Sequence, residues 1–164
     1  MADESNINRR DMLASTFRVL AAGSVAGVFF PALVSAGTPG TLITVYKDAS
    51  CQCCAKWVLH LSQNGFAPKV IERTDMNAIK DSMGVPVALR SCHTAVIAKY
   101  IVEGHVPAAD VRRLLASTPQ GVAGLAAPGM PSGSPGMEMP GRLDKYDVIA
   151  FTTKGTTSVF ARHG

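Results

Sequence analysis

The sequence has no apolar run long enough to cross a bilayer as a helix. Its most apolar stretch, residues 19–34, falls short of the roughly 20 residues a spanning helix needs and is interrupted by glycines and Pro31. Aromatic residues make up only 6% of the chain, and the net charge of +4 is scattered along it. Without a basic stripe interleaved with aromatics, nucleic-acid binding is not expected. The chain also lacks a P-loop, a dinucleotide glycine fingerprint, a serine-triad motif and an internal repeat. No phosphate cradle, serine nucleophile or solenoid architecture is therefore expected.

What the chain does have is cysteine in one place. Of four cysteines in 164 residues, three fall within Cys51-Gln-Cys53-Cys54, and the fourth, Cys92, is followed directly by His93. Residues 41–46 read as a strand by their β-branched and aromatic content. Asp48, Ala49 and Ser50 break it. Residues 54–64 then read as a helix, with Trp57, Val58 and Leu61 forming the apolar stripe and Asn64-Gly65 the stop. The thiols thus sit at a strand-to-helix junction, where unpartnered N–H groups and the helix dipole favour thiolate. Cys51 and Cys54 form a CxxC pair, whereas the adjacent Cys53 and Cys54 cannot easily bond to each other. A structural disulfide, a redox CxxC pair with Cys51 and Cys54 as the catalytic residues, and a soft-metal site all remain open. CxCC combined with a distant Cys-His favours the metal site, because soft thiolates select Cu(I), zinc or iron–sulfur. Of these, a thioredoxin-like iron–sulfur electron carrier has the right number of cysteines, but the adjacent pair makes four-thiolate ligation of two irons awkward.

The rest of the chain reads as a scaffold for that junction. Residues 66–73 form a second strand, and the helical connection back to the first implies parallel pairing. Asp75 is placed to cap a helix running to Met83, with Gly84 ending it. Residues 95–98 and 100–103 suggest a hairpin around Lys99, and Pro107 falls just inside a further helix through Val111, Leu114 and Leu115. The order β-α-β-α-β-β-α fits an α/β fold of thioredoxin-like layout: a central mixed sheet, flanking helices, and the thiols at the carboxyl end of the first strand, where open α/β sheets place sites. Cys92 and His93 precede the third strand and can approach the Cys51 turn. Side chains alternate along a strand, so joint ligation by both needs a turn-like backbone. His60 reads as helix surface, His105 as a helix-start residue with a hydrogen-bond donor to a metal ligand as the alternative, and His163, at a frayed chain end, is assigned no role.

Residues 118–142 are rich in Gly, Pro, Ala and Met and read as one long loop, excluded from regular helix or central strand. Thioethers favour Cu(I), and Met137 and Met139 are placed to point the same way from an extended segment. Residues 146–151 and 156–161 read as a terminal hairpin that returns to the sheet and ties the loop down. At the other end, Arg9-Arg10 followed by the apolar stretch and Val34-Ser35-Ala36 has the three-part logic of a signal peptide, twin-arginine-like or general secretory. The expected division is a leader over residues 1–36 and a single domain over 37–164, in a compartment that permits disulfides.

Taken together, Tyr46-Lys-x-x-x-Cys-x-Cys-Cys-x-x-Trp57, Gly84-Val-Pro86, Ser91-Cys-His-Thr94, Glu103-Gly-His-Val-Pro107 and Gly129-Met-Pro-x-Gly-Ser-Pro-Gly-Met137-Glu-Met139 resemble the small copper-resistance-associated metal-binding proteins of the CopG type, which are distinct from the DNA-binding repressors sharing that name. The resemblance runs from about Leu42 to Phe160. It implies a thioredoxin-like fold, a periplasmic setting and copper, expected as Cu(I) and as more than one ion where thiolates bridge. It carries over Cys51, Cys53, Cys54 and Cys92 as core ligands and brings His93, Met137 and Met139 near the site. The expected function is copper sequestration or redox handling, with thiol–disulfide exchange through Cys51 and Cys54 as the alternative. The expected partners are copper ions and another periplasmic copper protein or thiol redox partner; a membrane anchor remaining after leader cleavage is not expected.

Overall fold

The computed structural model describes residues 40–164; the expected leader over residues 1–36, with Arg9 and Arg10, lies outside them. The described chain runs β1 (Thr41–Lys47), α1 (Gln52–Gln63), β2 (Phe66–Glu72), α2 (Met76–Ser82), a 3-10 turn (Val87–Leu89), β3 (His93–Ile97), β4 (Tyr100–Gly104), α3 (Ala108–Ser117), β5 (Val122–Ala127), β6 (Tyr146–Thr152) and β7 (Thr157–His163). The strands form one mixed sheet in the order β2-β1-β3-β4-β5-β6-β7. Two neighbouring pairs, β1–β2 and β4–β5, are parallel. Each is joined through a helix, α1 or α3, as parallel pairing requires. The remaining pairs are antiparallel. No helix among the described residues is long and apolar enough to cross a membrane.

The core follows the sequence pattern. Strand β1 alternates, burying Ile43 and Val45 against Trp57 and Leu61 of α1 and against Val111 and Leu114 of α3. Each such buried aliphatic side chain contributes about 1.5–3 kcal/mol relative to exposure. Trp57 is fully buried, and its indole N–H donates to the Val106 carbonyl at 2.9 Å. The expected β3–β4 hairpin forms, with Ala98 in the left-handed region at φ +51°. Asp75 does stand at the N-cap of α2, but it makes no capping hydrogen bond; its carboxylate is taken by Arg73 at 2.6 and 2.8 Å. Pro107 occupies the N-cap of α3 rather than its first turn.

Two expectations need correction. Residues 118–142 are not one loop, because β5 lies within them, hydrogen-bonded on both sides in the middle of the sheet. Its small residues hid it from a reading based on β-branched content, and the packing explains them. A side chain at Gly124 would run into the Ile101 carbonyl oxygen and the Phe151 ring. The loop proper therefore starts at Pro128. The terminal hairpin forms as expected, but His163 is not a frayed end. Its Nε2 meets the buried Asp110 carboxylate at 2.7 Å, its ring stacks on Tyr146, and nearby Arg113 donates to the Phe160 carbonyl at 3.0 Å. These contacts fasten β7 to α3.

Candidate metal centre

The site is assembled where β1 ends, α1 begins and β3 starts. At the end of β1, Lys47 is buried. Its ammonium donates to the carbonyls of Asp48 at 2.8 Å and Ala49 at 3.4 Å, and the Cys51 N–H donates to the Asp48 carbonyl at 3.1 Å. The chain thus turns directly into α1, with Cys51 at the N-cap and Cys53 and Cys54 in the first turn. Strand β3 runs antiparallel beside β1, pairing His93 with Lys47, so the residue before it, Cys92, lands at the same end of the sheet.

Four sulfurs converge there, those of Cys51, Cys53, Cys54 and Cys92, all within 4.8 Å of one another. Cys51 and Cys54 are joined in a disulfide, while Cys53 and Cys92 are free thiols. The Cys53 sulfur lies 3.5 Å from that of Cys51 and 4.0 Å from that of Cys92. Cys92 occupies a bend rather than the strand itself. That bend supplies the turn-like backbone that joint action with His93 requires, and the Cys92 sulfur sits 3.2 Å from His93 Nδ1.

His105, read from the sequence first as a helix-start residue, completes the cluster. His105 Nε2 lies 3.1 Å from the Cys92 sulfur, and the ring is fully buried. Its Nδ1 lies 2.7 Å from the Pro135 carbonyl. A carbonyl only accepts, so Nδ1 carries the hydrogen and the Nε2 lone pair faces the sulfur. The signal was present in the hairpin: β4 returns antiparallel to β3, so the residue just after β4 must come back beside the residue just before β3. His60 is likewise more than helix surface. Its Nε2 accepts the Ala108 N–H at 3.1 Å, satisfying a free donor at the start of α3.

Burial holds Cys92, His93 and His105 in their neutral forms. Burial, reinforced by the charges of Lys80 and Lys47, holds the His93 imidazole well below its ordinary pKa. Burial does the same, less strongly, for His105. Both rings are thus neutral near pH 7, which is the ligating form. Burial and then the neighbouring Cys53 push the Cys92 thiol up to about 12, so a metal ion must displace its proton in order to bind. His93 Nε2 is buried without a hydrogen-bond partner, and the ring lies against Trp57 at 4.3 Å between centroids. Soft sulfurs beside neutral imidazoles fit a thiophilic ion.

The methionine loop reaches this cluster through its backbone. Besides the Pro135 carbonyl on His105, Gly136 packs onto the first turn of α1, where an added Cβ would lie 2.8 Å from the Cys53 carbonyl and 2.9 Å from the Trp57 nitrogen. The next residue, Met137, is half-buried, and its N–H donates to the Ser134 carbonyl at 2.8 Å. Met139 is half exposed and its sulfur accepts from the Ser132 hydroxyl at 3.5 Å. Of the expected ligands, the structure gathers Cys51, Cys53, Cys54, Cys92 and His93 and adds His105.

A family model described as a protein of unknown function, DUF411, matches residues 89–137, which span Cys92, His93, His105 and most of the loop. Two solved structures of a copper resistance protein copG are similar to this chain. The first, form 2, is 46% identical over 76% of this chain and 99% of its own, with a TM-score of 0.72. The second, form 1, is 47% identical over 77% and 98%, with a TM-score of 0.71. No curated protein matches the chain.

Proposed function

Because the chain belongs to the CopG-type copper-resistance family, we propose that it is an exported copper-binding protein that holds Cu(I) as cargo for sequestration or redox handling. One observation carries the reading: four sulfurs within 4.8 Å of one another, with two neutral imidazoles on Cys92. A purely disulfide-based enzyme needs neither Cys53 nor Cys92. In this reading Cys51, Cys53, Cys54 and Cys92 supply thiolates, bridging more than one ion, and His93 adds nitrogen. Met137 and Met139 supply thioethers or a lid near the copper. The layout of the domain is read as thioredoxin-like on the strength of the β-α-β-α-β-β-α order and the CxxC pair at the start of α1.

The test is an anaerobic Cu(I) titration against a competing chelator, with metal analysis and thiol counting, after reduction of the Cys51–Cys54 disulfide. The reduced protein is expected to bind more copper than the oxidised one. Cys92→Ser is expected to lower affinity or stoichiometry and remove one sulfur from the copper shell seen by X-ray absorption. Met137→Leu with Met139→Leu, which keeps apolar volume, is expected to lower affinity less. An unchanged shell and affinity in Cys92→Ser would overturn the reading.

The disulfide itself favours a second reading, thiol–disulfide exchange. Cys51 is half-buried and Cys54 fully buried, the arrangement of an attackable sulfur and a protected one. An external thiolate attacks Cys51, the S–S bond breaks and Cys54 leaves as thiolate. A second external thiol resolves the mixed disulfide, so two electrons and two protons pass from a dithiol to the protein. This exchange survives Cys53→Ser and Cys92→Ser, which is what separates it from the first reading.

We further propose export to the periplasm through residues 1–36. The twin-arginine start and the short apolar stretch support it. The mature chain is expected to begin near Gly37 when protein from the periplasmic fraction is sequenced; intact Met1 in the soluble cytoplasm would count against it.

A further inference from the structure

The site rests on a polar network that lies outside the metal-facing cluster. Glu103, near the end of β4, is fully buried, and so nearly is Lys80 of α2, whose ammonium reaches Glu103 Oε1 at 2.5 Å. The same oxygen accepts the backbone N–H of Ser91 at 2.6 Å. Glu103 Oε2 accepts the Thr94 hydroxyl at 2.6 Å, and Lys80 also donates to Thr94 at 2.9 Å. Thr94 and Glu103 are register partners across β3 and β4. A buried ion pair adds little net stability over apolar residues of similar volume. What this one does is fix the backbone immediately before Cys92.

The last two residues of β4 and the one that follows grip that backbone together. The Glu103 carboxylate holds the Ser91 N–H. Gly104 presents bare backbone beneath Ser91, where a Cβ would lie 2.6 Å from the Ser91 Cβ. His105 then reaches the Cys92 sulfur at 3.1 Å. The partner sulfur, that of Cys53, is 4.0 Å away on a different element, so the gap between the two free thiols depends on where residues 91 and 92 are held.

We propose that Glu103 is a positioning residue for the copper site: by accepting the Ser91 N–H it sets the Cys92 sulfur against Cys53 and His105, while Lys80 supplies the countercharge that lets a carboxylate stand there. The inference rests on the reading of Cys92 as a copper ligand. Partners behind a metal ligand are worth about 10- to 100-fold in affinity.

The test compares Lys80→Met/Glu103→Leu with Lys80→Met/Glu103→Gln, both free of an unpaired buried charge. The leucine variant fills the space but leaves the Ser91 N–H without an acceptor; the glutamine variant keeps an amide oxygen for it. Full-length protein is reduced, titrated with Cu(I) against a chelator and examined by X-ray absorption. In the leucine variant Cu(I) affinity is expected to fall about 10- to 100-fold with the loss of one sulfur from the shell. The glutamine variant is expected to keep wild-type affinity and shell. If the leucine variant does not fold, Glu103→Asp carries the test, since it keeps the charge opposite Lys80 and withdraws the acceptor by one methylene; the same loss is expected. Wild-type affinity in the leucine variant, or in Glu103→Asp where that stands in, would overturn the proposal, as would equal losses in the leucine and glutamine variants. Cys92→Ser run alongside separates the two failures. If it binds copper like wild type, the copper reading falls and the positioning role falls with it. If it loses copper while the Glu103 variants do not, only the positioning role falls.

Discussion

The two cysteine-bearing segments of the site are held in opposite ways. The Cys51–Cys54 turn is fixed by its neighbours in sequence: the Lys47 ammonium on the Asp48 and Ala49 carbonyls, the Cys51 N–H on Asp48, and the start of α1 itself. The Ser91–His93 segment is fixed from far away. Glu103 is 12 residues on, His105 is 13 residues from Cys92, and His105 is in turn held by Pro135, 30 residues further. One half of the site is bonded chiefly by residues local in sequence. The other half exists only once the sheet has closed and the loop has come down. Reactivity divides along the same line. The local half carries the CxxC disulfide, and the distant half carries a thiol whose proton burial retains.

Detaching the loop is the change expected to strain this division most. Gly136 sits at φ +87°, in the left-handed region, with the α1 backbone where its side chain would be. Gly136→Ala therefore combines backbone strain, about 1–3 kcal/mol, with a collision against the Cys53 carbonyl. The cheaper relief is for the loop to lift, because α1 is pinned through the buried Trp57. Faster limited proteolysis within residues 128–142 is expected, together with weaker copper binding as His105 loses its Pro135 anchor. The Cys51–Cys54 disulfide is expected to form and reduce as in wild type. If disulfide exchange is disturbed as much as copper binding, the two halves are not independent.

That asymmetry also explains what could be read from the sequence. Strand β1, helix α1 and the thiol turn were legible because their signals are local: β-branched content, the Trp57–Leu61 stripe and three cysteines in four positions. The helical connections made the parallel pairing of β2 legible as well. Strand β5 was not, because its identity lies in what surrounds it. Gly124 and the buried Ala126 and Ala127 make no strand by propensity, and become one only between β4 and β6. His105 and His60 were misread for the same reason. Each looks like an ordinary polar residue near a helix until the antiparallel return of β4 places one on Cys92, and the packing of α1 against α3 places the other on the Ala108 N–H.

The smallest expected effect concerns the joint between the two halves. Helix α1, which carries the thiols, is bonded to the segment following His105 at two points: the Trp57 N–H on the Val106 carbonyl, and His60 Nε2 on the Ala108 N–H. Only the second titrates. Burial first, then the charge of Arg112, lowers the His60 pKa against the opposing pull of Glu138. A protonated ring cannot accept the Ala108 N–H. The folded state therefore binds this proton less readily than the unfolded chain, whose imidazole titrates near 6.5. The contribution of His60 to stability is present above that value and is lost as pH falls through the lower folded value. His60→Gln keeps an oxygen to accept the N–H and removes the titration. Between about pH 7 and 5 the melting temperature of the copper-free protein is expected to fall more steeply in wild type than in His60→Gln. His93 and His105 are also held neutral by burial and titrate in both proteins, so the difference between the two curves isolates His60. Superimposable curves would mean that the Ala108 bond does not depend on the charge of the ring, leaving Trp57 as the joint that holds α1 to the His105 side of the site.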